Sequence, residues 1–416
     1  MTDCVCNAPS DPHAADDADE APATPAWMAV FSLAMGVFGL LTAEYLPASL
    51  LTLMATDLGV SEALAGQAVT VTAVVALFAG LLVPGLTRSV DRRWMLLGFS
   101  TLMVASNLLV AVSSSFAVLL LMRILLGIAL GGFWSMAAAV AMRLVPNALL
   151  PRALSIIFSG IAIGTVVAVP MGSYLGGLYG WRSAFLAAAA VGIVTLAFQS
   201  FTLPRLAPRR PARLRTVLEV LQRPGIAIGM FGCVLVHSGH FAMFTYVRPF
   251  LEGTTGIGAQ GLSLMLLGFG VANFAGTLLA GKLLERHPLA TLVLMPALVG
   301  VAALALVLLP ASVPGQAVLL AIWGLAFGGV PVAWSNWVAN AVPDQAESAG
   351  GMVVASVQSA IATGAAAGGA MFSLGGSAGV FVAAAVLMLL AALLIAVRVR
   401  VPLGRGVGEP KPALHL

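Results

Sequence analysis

Apolar runs follow one another along almost the whole chain, separated by short links rich in charge, glycine and proline. They cover residues 27–52, 64–87, 95–113, 116–141, 153–178, 183–202, 224–249, 259–281, 288–309, 315–340, 347–372 and 376–397. A helix rises ~1.5 Å per residue, so about 20 apolar residues cross the ~30 Å hydrocarbon core of a bilayer. Helices also satisfy their own backbone where water is absent. The pattern therefore predicts an all-α membrane protein with twelve transmembrane helices. Short links make sequence neighbours antiparallel, and an even number of crossings leaves both termini on one side.

The pattern also repeats. Phe78-Ala79-Gly80 followed by Gly85 returns as Phe274-Ala275-Gly276 followed by Gly281. Gly127, Gly131 and Gly132 leading to Val145-Pro146 return as Gly324, Gly328 and Gly329 leading to Val342-Pro343. Gly180, Phe185 and Ala187–Ala189 match Gly376, Phe381 and Ala383–Ala385. The offsets are 196, 197 and 196 residues. Matches in one order at one spacing predict a duplicated unit: two pseudo-symmetric six-helix bundles, 27–202 and 224–400, joined by a linker at 203–223. Parallel repeats of this kind build carriers with a midplane site between the halves.

Composition excludes a water-soluble enzyme. The chain of 416 residues is 60% hydrophobic and 9% charged, with a mean hydropathy of +1.03, whereas a soluble domain is about 25% charged. Its 45 glycines suit close helix packing in lipid. Of 20 Lys and Arg, all but Arg123, Arg182 and Arg248 fall on the side of the even-numbered links and the C-terminus, which the positive-inside rule assigns to the cytoplasm. Residues 1–26 carry six acids and no base, so they read as a disordered acidic cytoplasmic tail rather than a signal peptide. Residues 401–416 form a second cytoplasmic tail. The linker holds six Arg, and Leu214, Val217, Leu218 and Leu221 predict an amphipathic helix on the inner leaflet. Three cysteines supply no disulfide framework.

Against this background one residue stands out. Glu44 is the only acid in the interior of an apolar run, where a carboxylate costs at least ~2.5 kcal/mol. Arg123, in the fourth run, lies at a similar distance from the outer surface, about 12 Å deep by residue counting. Three readings stay open for the pair: proton coupling, a static ion pair, or a carboxylate in a wet cavity that binds cargo. The repeat places His240 opposite Glu44, either lining a cavity or bonded to a carbonyl within its bundle. Cys233, His237 and His240 share one helix face, but a straight helix spreads them over two turns and no fourth ligand is visible, so no metal site is expected. Trp134, Trp334, Asn336, Trp337 and Gln358 are candidates for the wall of a planar-ligand site, or for interhelical packing. Gly160, Gly164, Pro170 and Gly172 form a small-residue seam with a proline kink. Gly276-x4-Gly281-Lys282 imitates a phosphate loop but lacks the Ser/Thr and the preceding strand. Neither ATP nor any other cofactor is expected.

These residues carry a resemblance. The chain is identified as similar to the major facilitator superfamily, within its drug:proton antiporter group. Glu44-Tyr45-Leu46-Pro47 resembles the helix 1 signature of that group, Arg123-x3-Gly127 its helix 4 motif, and Gly160–Gly176 its helix 5 antiporter motif. In the loop after helix 2 the family's acid stands displaced, at Asp91. Asp57–Glu62, Ala65–Ala73, Gly131–Trp134 and Asp344–Glu347 resemble bacterial purine ribonucleoside efflux pumps. The resemblance implies a non-enzymatic, proton-coupled exporter of purine ribonucleosides (inosine, guanosine) in a bacterial inner membrane. Export of sugars or amphipathic drugs by the same fold is the alternative. It further implies a part in proton transfer for Arg123, with Glu44 as its expected coupling partner; His240, Trp134, Asn336, Gln358 and Tyr45 are expected at the cavity wall on their side-chain chemistry alone. The expected partners are the nucleoside, protons and the lipid bilayer. No nucleic acid is expected, and the protein is expected to be a monomer.

Overall fold

A computed structural model describes residues 25–87, 89–146, 149–207, 219–310, 312–342 and 346–400. The acidic leader up to residue 24, linker residues 208–218 with most of their expected amphipathic helix, and the tail 401–416 lie outside the described residues.

The regular structure of the described residues is helical. The first bundle holds α1 (Trp27–Leu58), the short α2 (Glu62–Ala65), α3 (Gln67–Leu86), α4 (Arg92–Ala111), α5 (Phe116–Leu144), α6 (Leu150–Tyr179) and α7 (Trp181–Thr202). The second holds α8 (Ile226–Thr245), α9 (Val247–Thr255), α10 (Ala259–Arg286), α11 (Pro288–Leu308), α12 (Val313–Ala341) and α13 (Ala346–Arg398). Polar caps start several of them: Ser115 accepts from the Val118 amide, Asp91 from Arg93 and Ser312 from Gly315.

Among the described residues, eleven helices are long and apolar enough to cross a bilayer. The last, α13, has 53 residues, roughly 80 Å and far more than one crossing needs. It is two helices in one. Gly375 leaves the helical region and Gly376 takes φ 63°, ψ −164°, a conformation open to glycine alone. Gly180, its partner in the repeat, separates α6 from α7 at φ 82°. Among the described residues the count is therefore twelve crossings in two six-helix bundles, as the hydrophobic pattern predicts.

The repeat reaches into the packing. A Cβ on Gly131 of α5 would strike the Ala76 carbonyl and lie 2.8 Å from the Gly80 nitrogen, both in α3. A Cβ on Gly328 of α12 would strike the Asn273 carbonyl and lie 3.0 Å from the Thr277 nitrogen, both in α10. Gly127 and Gly324 meet the Thr72 and Phe269 carbonyls in the same way. Backbone therefore lies directly on backbone at equivalent places in both bundles. Gly131→Ala is expected to destabilise the protein by about 1–3 kcal/mol through overpacking, read as a lower thermal midpoint in detergent. An unchanged midpoint would contradict the close approach.

Contacts between the bundles gather in one half of the molecule. Tyr45 of α1 meets Phe244 of α8 edge-on, with ring centroids 5.4 Å apart. A Cβ on Gly270 of α10 would come within 2.8 Å of the Val166 Cα of α6. Tyr246 and Arg248 reach the Ala63 and Ser49 carbonyls. All these lie between mid-helix and the end that carries Gly59, Gly180 and Gly256.

Candidate functional site

The site begins with a proline. Pro47 stands inside α1 and has no N–H, so the carbonyl of Ala43 loses its helical donor. Arg123, fully buried on α5, fills that gap: Nη1 donates to the Ala43 carbonyl at 2.8 Å, and Nε donates to Thr72 Oγ1 at 2.9 Å. Arg123 and Glu44 therefore meet at one level, as residue counting predicts. The guanidinium, however, is held by the carbonyl beside Glu44 rather than by the carboxylate. Glu44 Oε1 and Arg123 Nη2 are both buried without a hydrogen-bond partner. Asn107 adds a third buried polar group, neither of its amide atoms being partnered. Met103 of α4 covers Gly39 of α1, and one turn further along these two parallel helices sets Asn107 level with Ala43.

Glu44 opens onto a cavity of about 10 Å³, room for roughly one water. The first bundle lines it with Glu44, Tyr45, Ala48 and Val69, the second with Phe241, Phe244, Thr245 and Ile361. The buried acid thus lies on the seam between the bundles.

Across the seam, His240 of α8 is buried in a box of rings. It stacks on Phe327 with 1° between the planes and on Phe244 at 5.4 Å, while Phe269 lies 6.4 Å away. Trp323 Nε1 donates to His240 Nδ1 at 3.1 Å, which leaves the proton of the neutral ring on Nε2. The repeat makes a contrast here. Where the first bundle carries Glu44, Thr72 and Arg123, the second carries His240, Phe269 and Leu320. One copy is polar at this level, the other aromatic and aliphatic.

The remaining candidates divide by distance. Gln358 is buried one turn from Ile361 on the same face of α13, with Oε1 unpartnered. Trp134 is half-buried on Phe158, with centroids 6.1 Å apart, and stands roughly 16 Å along α5 from Arg123. Asn336 is likewise half-buried and accepts from Asn340, roughly 20 Å along α12 from Trp323. Tyr45, Gln358 and the His240 box thus gather near Glu44, whereas Trp134 and Asn336 lie deeper toward the other end. His237 bonds the Cys233 carbonyl of its own helix at 2.8 Å. Among the described residues no three His, Cys, Asp or Glu side chains gather around a metal position.

Gly160, Gly164 and Gly172 turn toward α1, where added Cβ atoms would meet the Ala34 carbonyl, Leu41 and Ser49. The seam is thus a packing surface for the helix that carries Glu44. Pro170 lies inside α6, which frees the Val166 carbonyl beside the crossing of α10. Asp91 accepts from the amides of Arg93 and Leu206, tying the start of α4 to the chain after α7.

Sequence reasoning did not assign roles to Thr72, Phe244 or the Ala43 carbonyl. The signal for the last was present: a proline three residues after the buried acid points back to a free carbonyl next to it.

The sequence profile of the Major Facilitator Superfamily matches residues 31–352 and, overlapping, 230–414. The chain is 44% identical over 379 residues to the "Purine ribonucleoside efflux pump NepI" of Salmonella enteritidis PT4, covering 91% of this chain and 96% of that protein. The pump of the same name from Salmonella paratyphi A is 43% identical over the same coverage. Among solved structures, a D-xylose-proton symporter superposes with TM-score 0.72 at 19% identity over 91% of this chain and 99% of that one. A peptide transporter POT superposes with TM-score 0.68 at 14% identity over 88% and 93%. With the profile running across both bundles and relatives aligned over nearly their whole length, the chain belongs to the Major Facilitator Superfamily.

Proposed function

We propose that the protein exports purine ribonucleosides, inosine and guanosine among them, from a bacterial cytoplasm in exchange for protons. The observation that carries this reading is the 44% identity, over almost the full length of both chains, to proteins named as purine ribonucleoside efflux pumps. It makes the protein a carrier and not an enzyme. The excess of basic residues on the even-numbered links supports a cytoplasmic side, at the inner membrane, for both tails, 1–26 and 401–416, and for the linker 203–223. The contacts between the bundles then lie on the periplasmic half, so this conformation is closed to the outside. A single chain holds both bundles and the seam between them, and the working unit is taken as a monomer.

Glu44 is the proposed proton carrier. Facing outward it takes a proton; the bundles then rock, the proton leaves toward the cytoplasm, and the emptied seam accepts cargo. Arg123, anchored on Ala43 and Thr72, keeps a positive charge beside the carboxyl group without occupying it. Tyr45, Phe241 and Phe244 offer ring faces for a flat purine, and Gln358 offers an amide for its polar edge. Inverted vesicles with an acidic lumen are expected to take up labelled inosine above the level of vesicles lacking the protein, with arabinose and chloramphenicol failing to compete. Uptake at the background level would overturn the choice of cargo.

A further inference from the structure

We infer that Arg248 and Tyr246 form the gate that seals the Glu44 cavity on the Gly59 side, which makes them positioning residues of the transport cycle. The inference rests on the proposed function only for calling that side the outside. Arg248 belongs to the second bundle and is 3% exposed. Its Nη1 donates to the Ser49 carbonyl of α1 at 2.6 Å, and its Nε donates to Glu252 Oε1 at 2.8 Å. Ser49 follows Ala48, and Thr245 stands three residues before Arg248; both Ala48 and Thr245 line the cavity. The guanidinium therefore bridges the two bundles directly above it.

Tyr246 closes the same seam by shape. Its hydroxyl donates to the Ala63 carbonyl of α2 at 3.3 Å. Its ring fills a slot walled by glycines from both bundles. A Cβ on Gly66 would strike the hydroxyl and lie 2.7 Å from Cζ; one on Gly368 would lie 3.0 Å from Cε2, and one on Gly369 2.8 Å from the hydroxyl. The ring is pinned on two sides, so it has no room to yield to a methyl group at Gly66.

The chemistry of the gate suits repeated opening. Both hydrogen bonds across the seam end on main-chain carbonyls, and Glu62 of α2 adds an electrostatic attraction to Arg248 that also weakens when the bundles part. Arg248 keeps Glu252 on its own helix, and opening does not strand a bare buried charge.

The test reads access and needs no cargo. A cysteine is placed at Ala48 (Ala48→Cys) after Cys4, Cys6 and Cys233 are replaced by serine, and a membrane-impermeant maleimide is applied to intact cells and to inverted vesicles. Arg248→Gln is expected to raise the labelling rate in cells by about tenfold or more. Gly66→Ala, which acts on Tyr246 from the opposite bundle, is expected to do the same. Arg182→Gln, which breaks the exposed pair with Asp57 inside the first bundle, leaves the rate unchanged. Labelling in both Arg248→Gln and Gly66→Ala at the parent rate would overturn the gate. A gain confined to inverted vesicles would support the gate and overturn the assigned orientation.

Discussion

Glu44→Gln protein no longer converts a pH gradient into a cargo gradient. In inverted vesicles with a lumen two pH units more acidic than the medium, one-for-one exchange sustains up to about 100-fold accumulation of inosine, since each unit is worth ~1.4 kcal/mol. Glutamine keeps the shape and hydrogen-bonding capacity of the side chain but carries no exchangeable charge at any pH. The variant is expected to level off at about onefold. Three features of the site set this expectation: the carboxyl group is buried, its Oε1 lacks a hydrogen-bond partner, and Arg123 is held elsewhere. A carboxyl group gripped by a guanidinium would stay ionised and serve as structure; a loosely held one on the seam is free to exchange. Cargo-for-cargo counterflow without a gradient should survive, which separates lost coupling from lost folding. Accumulation equal to wild type would remove Glu44 from the mechanism.

The second large effect is expected from Pro47→Ala, a change that touches neither charged residue. Alanine restores an N–H at position 47, and the ordinary helical bond to the Ala43 carbonyl re-forms. Arg123 then shares or loses its Nη1 acceptor. A hydrogen bond from a charged donor is worth about 1.5–3 kcal/mol, and the Glu44 carboxylate, whose charge already acts on Arg123, is a group able to replace it. A carboxylate paired in this way needs more acid to take a proton. The pH profile of export is therefore expected to move toward acid by about 1–2 units. Stability should move the other way, because proline inside a helix costs roughly 3 kcal/mol relative to alanine. A protein that melts no lower yet works only at lower pH would separate this role from simple damage; an unmoved profile would discard it.

Much of the architecture was legible because hydropathy and helix length obey the same physics. Apolar runs of bilayer length have few alternatives to a helix, and the glycines that end helices at Gly180 and Gly376 are visible as glycines. The break at Tyr246 was not. The run 224–249 reads as continuous, yet Tyr246 leaves the helix at φ −108°, ψ 16°. What holds it there is a slot built by Gly66, Gly368 and Gly369, and such tertiary causes leave no local trace. The site divides similarly. Counting residues placed Glu44 and Arg123 at one depth, because rise per residue is fixed. It did not foresee what Arg123 bonds, since that depends on helix faces and on one carbonyl released by Pro47. Trp134 and Asn336 were conspicuous by type, but residue type says nothing about level, and both stand well away from the cavity.

The unequal repeat has a wider consequence. Glu44, Thr72 and Arg123 have no ionisable or hydroxyl counterpart in the second lobe beyond His240; rings and an aliphatic chain stand there instead. On the function proposed here, duplication has divided the labour between motor and mould. The ring-lined wall can be recut for different freight while the acid that drives the cycle, and the arginine beside it, stay as they are.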